Sequence, residues 1–132
     1  MKYEKSCGAV ISKIEDGETK YLLVLNKKPG GVGHWGFPKG HREGSEIEFE
    51  TAAREILEET GLLVVFQGGK RAVATYSPCQ GVTKDAVYFL ATARAGEVKL
   101  QQSEVAQFKW CTYQEAMRLL THDQKILKKL VD

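Results

Sequence analysis

The stretch from Ser45 to Gly61, SEIEFETAAREILEETG, limits more than any other what this chain can fold into. Ser45 followed three residues later by Glu48 has the spacing of a capping box, and Gly61 after Thr60 supplies a left-handed stop. At about 100° per residue, Phe49, Ala52, Ala53, Ile56 and Leu57 fall on one face of the helix between these signals. A helix with one apolar stripe must bury it, so this one has to lie on a sheet or on other helices.

The opposite face carries the chemistry. With Glu46 as reference, Glu55, Glu58 and Glu59 fall within an arc of about 100°. Like charges three or four residues apart cost a helix about 0.2–0.5 kcal/mol per pair. Local neutralisation is scarce: Arg42 and Arg54 are the only Lys or Arg residues between Lys39 and Lys70. A solvated face is the ordinary reading of such a charge run. A divalent cation is the functional one, because hard carboxylate oxygens suit Mg²⁺, with water and phosphate filling its remaining positions.

The flanking pattern predicts a sheet for the helix to cover. Lys2–Lys13 and Tyr21–Leu25 read as strands joined at Glu15-Asp16-Gly17-Glu18, which makes a hairpin. Lys28–Gly33 reads as a glycine-rich loop, and Pro38 confines Trp35–Pro38 to a strand end or edge. Leu62–Phe66, Ala72–Tyr76, Ala86–Ala93 and Phe108–Thr112 read as further strands. Thr112 with Glu115 forms a second capping box, opening a helix through Leu120, and Thr121 with Gln124 opens a third. The expected fold class is α+β, an α/β/α sandwich with a mixed central sheet, spanning residues 1–132 as one domain.

Charge and cysteine usage set outer limits. A net charge of +2 gives no case for DNA or membrane-surface binding. No apolar run approaches the ~18–20 residues of a membrane span. Cys7, Cys79 and Cys111 are odd in number and form no CxxC pair, as expected of reduced thiols in a cytoplasmic protein.

The spacing around the acidic helix matches a known motif. Gly40, five residues, Glu46, seven residues, Arg54-Glu55, Ile56, one residue, Glu58-Glu59, one residue, Gly61 and Leu62 fit the Nudix box at every defined position. Gly40–Leu62 therefore resembles a Nudix hydrolase, and the surrounding strands and helices resemble that family's sandwich over nearly the whole chain. The resemblance implies cleavage of a phosphoanhydride in a nucleoside diphosphate linked to some moiety X. It implies Mg²⁺, with Mn²⁺ as a substitute, held by Glu55, Glu58 and Glu59. Either one of these or a later loop glutamate, here Glu104, serves as base. Glu58 is the first choice, and Glu104 is also a candidate ligand.

Roles can be reasoned from the side chains as well. Gly40 allows close approach and offers its carbonyl to the metal. Glu55 and Glu59, four residues apart, form a natural ligating pair. Arg54 suits a bidentate pair with a carboxylate, Glu46 being the expected partner.

Residues outside the box must choose the substrate. His34-Trp35-Gly36-Phe37-Pro38-Lys39-Gly40-His41, Lys84 with Val87–Leu90, and Glu104–Trp110 resemble the asymmetric diadenosine tetraphosphate hydrolase branch of the family. Gly36-Phe37 is shared with other branches, including RNA 5′-pyrophosphohydrolases. His34, Lys39 and Lys84 can neutralise phosphates, and Tyr76 and Phe108 can stack on a base. For Tyr88 and Phe108 core packing is the competing reading. Trp35 and Trp110 read as core or pocket wall, His41 and His122 as structural or surface.

The expected partner is a small nucleotide, foremost a dinucleoside polyphosphate, with an RNA 5′ end or a (d)NTP as alternatives. A nucleotide-sensing domain without catalysis is the rival of a different class, and the intact box glutamates weigh against it. Gly31-Val32-Gly33-His34-Trp35-Gly36 also fits GxGxxG, but Phe-Pro-Lys-Gly follows it and no helix can open there, so a dinucleotide fingerprint is excluded.

Overall fold

In the computed structural model, which describes residues 1–28, 31–95, 97–100 and 105–132, seven strands and three helices form an α/β/α sandwich. The strands are β1 (Lys2–Glu15), β2 (Glu18–Lys28), β3 (Gly31–Gly36), β4 (Lys39–His41), β5 (Leu63–Tyr76), β6 (Val82–Ala95) and β7 (Val105–Cys111). The helices are α1 (Glu48–Thr60), α2 (Tyr113–Leu119) and α3 (Gln124–Val131).

The sheet runs β3-β2-β1-β6-β5, with β4 paired to β1 and β7 paired to β2. β1 and β6 are parallel from Lys2↔Val82 to Ser12↔Thr92, and the other pairings are antiparallel, so the sheet is mixed. Both faces of the central strands are buried, and successive residues therefore feed two cores. Cys7, Ala9, Ile11, Leu22, Val24, Val87 and Phe89 pack with Ala52 and Ile56 of α1. Val10, Tyr21, Leu23, Ala86 and Tyr88 pack on the other side with Ala116, Ile126, Leu127 and Leu130 of α2 and α3.

Several sequence expectations shift. Helix α1 begins at Glu48 with Ile47 as its N-cap, and the Ser45–Glu48 box does not form. Instead the Glu50 carboxylate accepts from the Ile47 N–H at 2.9 Å, while Glu48 is drawn away to Lys5 and Arg71. The buried stripe of α1 is Thr51, Ala52, Ile56, Glu59 and Thr60; Ala53 and Leu57 are exposed. Phe49, also partly exposed, stacks on Phe89 at 4.1 Å.

The expected strands Leu62–Phe66 and Ala72–Tyr76 are one strand, β5, whose register shifts between Phe66 and Arg71. Part of the expected loop Lys28–Gly33 belongs to β3, which pairs with β2. The third helix starts at Gln124 behind Asp123, so Thr121 is not its cap. Gly61 at φ 76° ends α1 as expected, its N–H bonded to the Leu57 carbonyl at 2.9 Å. The Thr112–Glu115 box forms in both directions, at 2.8 and 3.2 Å. No helix among the described residues is long and apolar enough to cross a membrane.

Candidate active site

β4 is the structural link between the acidic helix and the sheet. Its three residues pair with β1 through Gly40↔Cys7 and Gly8↔Lys39, and α1 packs against it. A Cβ built on Gly40 would collide with the carboxylate of Glu55, so this glycine leaves the space that the glutamate fills. Glu59, one turn on, is 3% exposed. A carboxylate that deep is costly unless paired or coordinated.

Arg54 organises the rest of the cluster. Its Nε donates to Glu46 Oε2 at 2.7 Å and its Nη2 to Glu46 Oε1 at 3.0 Å, the expected fork. Nη1 reaches Glu55 at 2.9 Å and Glu58 at 3.2 Å, and Nη2 also donates to the His41 carbonyl at 2.9 Å. Glu46 accepts further from the Glu43 N–H and the Thr51 hydroxyl. Arg54 first, then these donors, hold its carboxyl down at about 2. In turn Glu46, followed by Glu55, holds the guanidinium above its ordinary range. The Glu58 side chain is 51% exposed against 12% for Glu55, so Glu58 is the member with freedom to swing.

Among the described residues no three carboxylate, imidazole or thiolate groups converge at metal-ligating distance. Arg54 draws Glu46, Glu55 and Glu58 onto itself. The donor set nonetheless fits a hard divalent cation: three glutamates within five residues, one buried, one seated on a glycine.

A basic lobe lies on the opposite face of β4. Lys84 on β6 has its pKa lowered, first by burial and then by the nearby charge of Lys39, with Glu4 opposing. Asp123, just ahead of α3, has its carboxyl pushed up by burial, while Lys39, His34 and His122 pull it down. Asp123 lies near enough to Tyr88 to help raise that hydroxyl's pKa, after burial, and a Cβ on Gly36 would stand 3.3 Å from Asp123 Oδ2. Tyr76, 42% exposed, has its hydroxyl pushed up by burial and then by the charges of Asp123 and Glu4.

His34, Lys39, Tyr76 and Lys84 are thus brought around Asp123 and Glu4, two acids that the sequence reading missed. Asp123 directly precedes α3 and Glu4 stands on β1, and neither belongs to a local motif that marks it out. Phe108 is elsewhere: it stands on β7 opposite Val24 of β2, 41% exposed, at the far side of the strand order from Tyr76. Glu104 lies outside the described residues. Tyr88 is core, 1% exposed, and Trp35 and Trp110 are half-buried against the two cores. His41 and His122 are exposed, His41 facing Glu4 at 3.5 Å and His122 lying 5.6 Å from the His34 ring.

The sequence profile of the NUDIX domain matches residues 5–131. Over 134 aligned residues the chain is 31% identical to the rat (Rattus norvegicus) protein named bis(5′-nucleosyl)-tetraphosphatase [asymmetrical], covering 91% of this chain and 86% of that one. The crystal structure of a C. elegans Ap4A hydrolase binary complex superposes with a TM-score of 0.84 at 27% identity, covering 96% of this chain and 93% of that one. An NAD-capped RNA hydrolase of Mannheimia succiniciproducens is 29% identical, over 98% of this chain and 48% of that protein.

Proposed function

The chain belongs to the Nudix hydrolase family, and we propose that it cleaves dinucleoside polyphosphates asymmetrically, foremost diadenosine tetraphosphate to ATP and AMP, with Mg²⁺ as cofactor and Mn²⁺ as a substitute. That it hydrolyses nucleotide phosphoanhydrides follows from the family. One juxtaposition carries the finer reading. Lys39 and Gly40 are neighbours on β4, Lys39 facing Lys84 and Asp123 on one side, Gly40 cradling Glu55 on the other. A polyphosphate crossing this strand meets cations and the acidic helix within one residue. The likeness to the rat and C. elegans enzymes supports the same substrate.

Glu55, Glu58, Glu59 and the Gly40 carbonyl would hold the metal, joined by Glu104. Bound there, a divalent cation supplies positive charge beside the phosphorus under attack. Glu58, half-exposed, takes a proton from water, whose oxygen forms a new bond to a phosphorus; the P–O bond opposite breaks and its electron pair leaves on the oxygen of the departing phosphate. Lys39 and Lys84 offset the charge that develops there. Lys84 is half-buried, and burial first, then the charge of Lys39, lowers its pKa. Arg54 keeps Glu55 and Glu58 in register with β4. Tyr76 stacks on one adenine.

The test is a substrate panel with product analysis in Mg²⁺. ATP plus AMP should appear from the dinucleotide at a kcat/KM at least about tenfold above that for any mononucleotide, a difference of ~1.4 kcal/mol in transition-state binding. Faster turnover of triphosphorylated or NAD-capped RNA would transfer the assignment to RNA 5′ ends, the activity of the Mannheimia relative's name. Nucleotide binding without product release would leave a sensing domain.

A further inference from the structure

A cleft of about 390 Å³ opens where the start of β1 meets the end of β4 and the loop that follows. Tyr3, Glu4, Lys5, His41, Arg42 and Gly44 line it. No step of the hydrolysis described above uses it. Its volume is near the lower end of the ~300–1,000 Å³ usual for small-molecule sites, enough for one nucleoside and too little for a dinucleotide.

Its walls are an aromatic ring, cations and one carboxylate. Tyr3 is 56% exposed and is not core. Its hydroxyl donates to Asp85 at 2.6 Å, and Asp85 is itself fixed by the Thr75 hydroxyl at 2.6 Å. The ring is therefore held in place without being buried, as a stacking platform must be. Arg42 is anchored twice: its N–H donates to the Lys5 carbonyl at 3.1 Å, and its Nε to the Glu46 carbonyl at 2.7 Å. Lys5 is bound to Glu48 at 2.9 Å and the His41 ring faces Glu4 at 3.5 Å, which leaves the Arg42 guanidinium as the wall's cation for a ligand, with the imidazole beside it.

The position is as telling as the chemistry. His41 follows Gly40 directly, and its carbonyl accepts from Arg54. Glu4 pairs across the sheet with Lys84 and bears on the charges of both Lys84 and Tyr76. The cleft thus begins one residue beyond the metal cradle, on the continuation of the line through Lys39 and Gly40.

Resting on the substrate reading above, we propose that this cleft binds the second nucleoside of a dinucleoside polyphosphate. Its base stacks on Tyr3, its phosphate meets Arg42 and His41, and its ribose hydroxyls donate to Glu4. The first nucleoside occupies the Tyr76 side.

Two substrates isolate this subsite: diadenosine tetraphosphate, and adenosine 5′-tetraphosphate, which lacks the second nucleoside. In Tyr3→Ala and in Arg42→Ala the ratio of kcat/KM for the first over the second should fall about tenfold, the scale of one lost stacking or charged contact. Tyr3→Phe keeps the ring but frees it from Asp85, so the ratio should fall less than in Tyr3→Ala. An unchanged ratio in Tyr3→Ala and Arg42→Ala, whether both rates hold or both fall together, would overturn the subsite. AMP binding measured by calorimetry without metal separates this proposal from the reading it rests on. Weakening of about tenfold in Tyr3→Ala supports the subsite even if the wild type ignores the dinucleotide. Cleavage of the dinucleotide with AMP binding unmoved by either substitution keeps the substrate and rejects the subsite.

Discussion

Arg54 grips Glu46 at two points, 2.7 Å from Nε and 3.0 Å from Nη2, and the same guanidinium holds Glu55, Glu58 and the His41 carbonyl. One planar group thereby ties the loop before α1, the helix itself and β4 together. Lysine preserves the charge and loses the fork. Arg54→Lys should lower kcat about 10–100-fold, as expected when charge-assisted bonds of about 1.5–3 kcal/mol are lost from a positioning residue. Thermal melting should fall by a few degrees, because Arg54, Glu46 and Glu55 are only 22%, 21% and 12% exposed and lose the fork while the charge is kept. A kcat close to wild type would show that Glu55 and Glu58 need no such hub.

The parts legible in the sequence are those specified locally. The Thr112–Glu115 box and the Gly61 stop depend on residues within one turn, and both formed as read. What failed depended on distant partners. Glu48 was expected to cap its own helix, but Lys5 on β1 and Arg71 on β5 claim it. The break between Phe66 and Ala72 is a register shift inside one strand, which a local pattern cannot separate from a turn. The apolar stripe of α1 was read about one position off, because Glu59 and Thr60 are buried although polar, a sign of a site rather than of packing. Asp123 could be found only through its tertiary neighbours Tyr88 and Gly36.

Gly40 tests the cradle directly. Gly40→Ala places a methyl group where the Glu55 carboxylate lies. The atoms in the way are the far end of the flexible Glu55 side chain, which can shift, so the fold should survive, with unchanged far-ultraviolet circular dichroism. Displacing a ligating group by ~1 Å is expected to cost about 100-fold in rate. Full activity in Gly40→Ala would remove Glu55 from the metal set.

Glu59 distinguishes a metal ligand from a structural acid. It is 3% exposed. Glu59→Gln keeps the size of the side chain and removes its charge, so it should lose the upward shift in melting temperature that Mg²⁺ gives the wild type. Turnover should drop at least about 1,000-fold, the scale seen when a group that acts only in the transition state is removed. An undiminished Mg²⁺ shift would exclude Glu59 as a ligand.

The cysteines report on core integrity. All three are free; Cys7 and Cys111 are buried and Cys79 is exposed. Burial, the largest cause, pushes the Cys7 thiol up to about 11 and also raises that of Cys111. Because the thiolate is the reactive form, a disulfide reagent at neutral pH should label Cys79 quickly and leave the other two untouched until denaturant is added. Rapid titration of two or more thiols in native buffer would contradict the packing on either face of the sheet.

Glu48 predicts how the fold responds to acid. It bridges Arg71 on β5, at 2.8 Å to both Nε and Nη2, and Lys5 on β1, pinning the first turn of α1 to the sheet. Arg71 foremost, then Lys5, lowers its carboxyl from 4.5 to about 2. A carboxyl depressed by folding contributes stability that is complete above its unfolded pKa and disappears as pH falls through the folded one. The bridge should thus act fully above pH 4.5 and be lost on descent towards pH 2. Denaturant titrations across that window should show a steep loss of stability in the wild type. In Glu48→Gln the loss should be shallower, from a lower starting value at pH 7, since Arg71 then keeps only a neutral partner. Parallel pH curves for the two proteins would mean that the bridge is present in the fold without coupling to its stability.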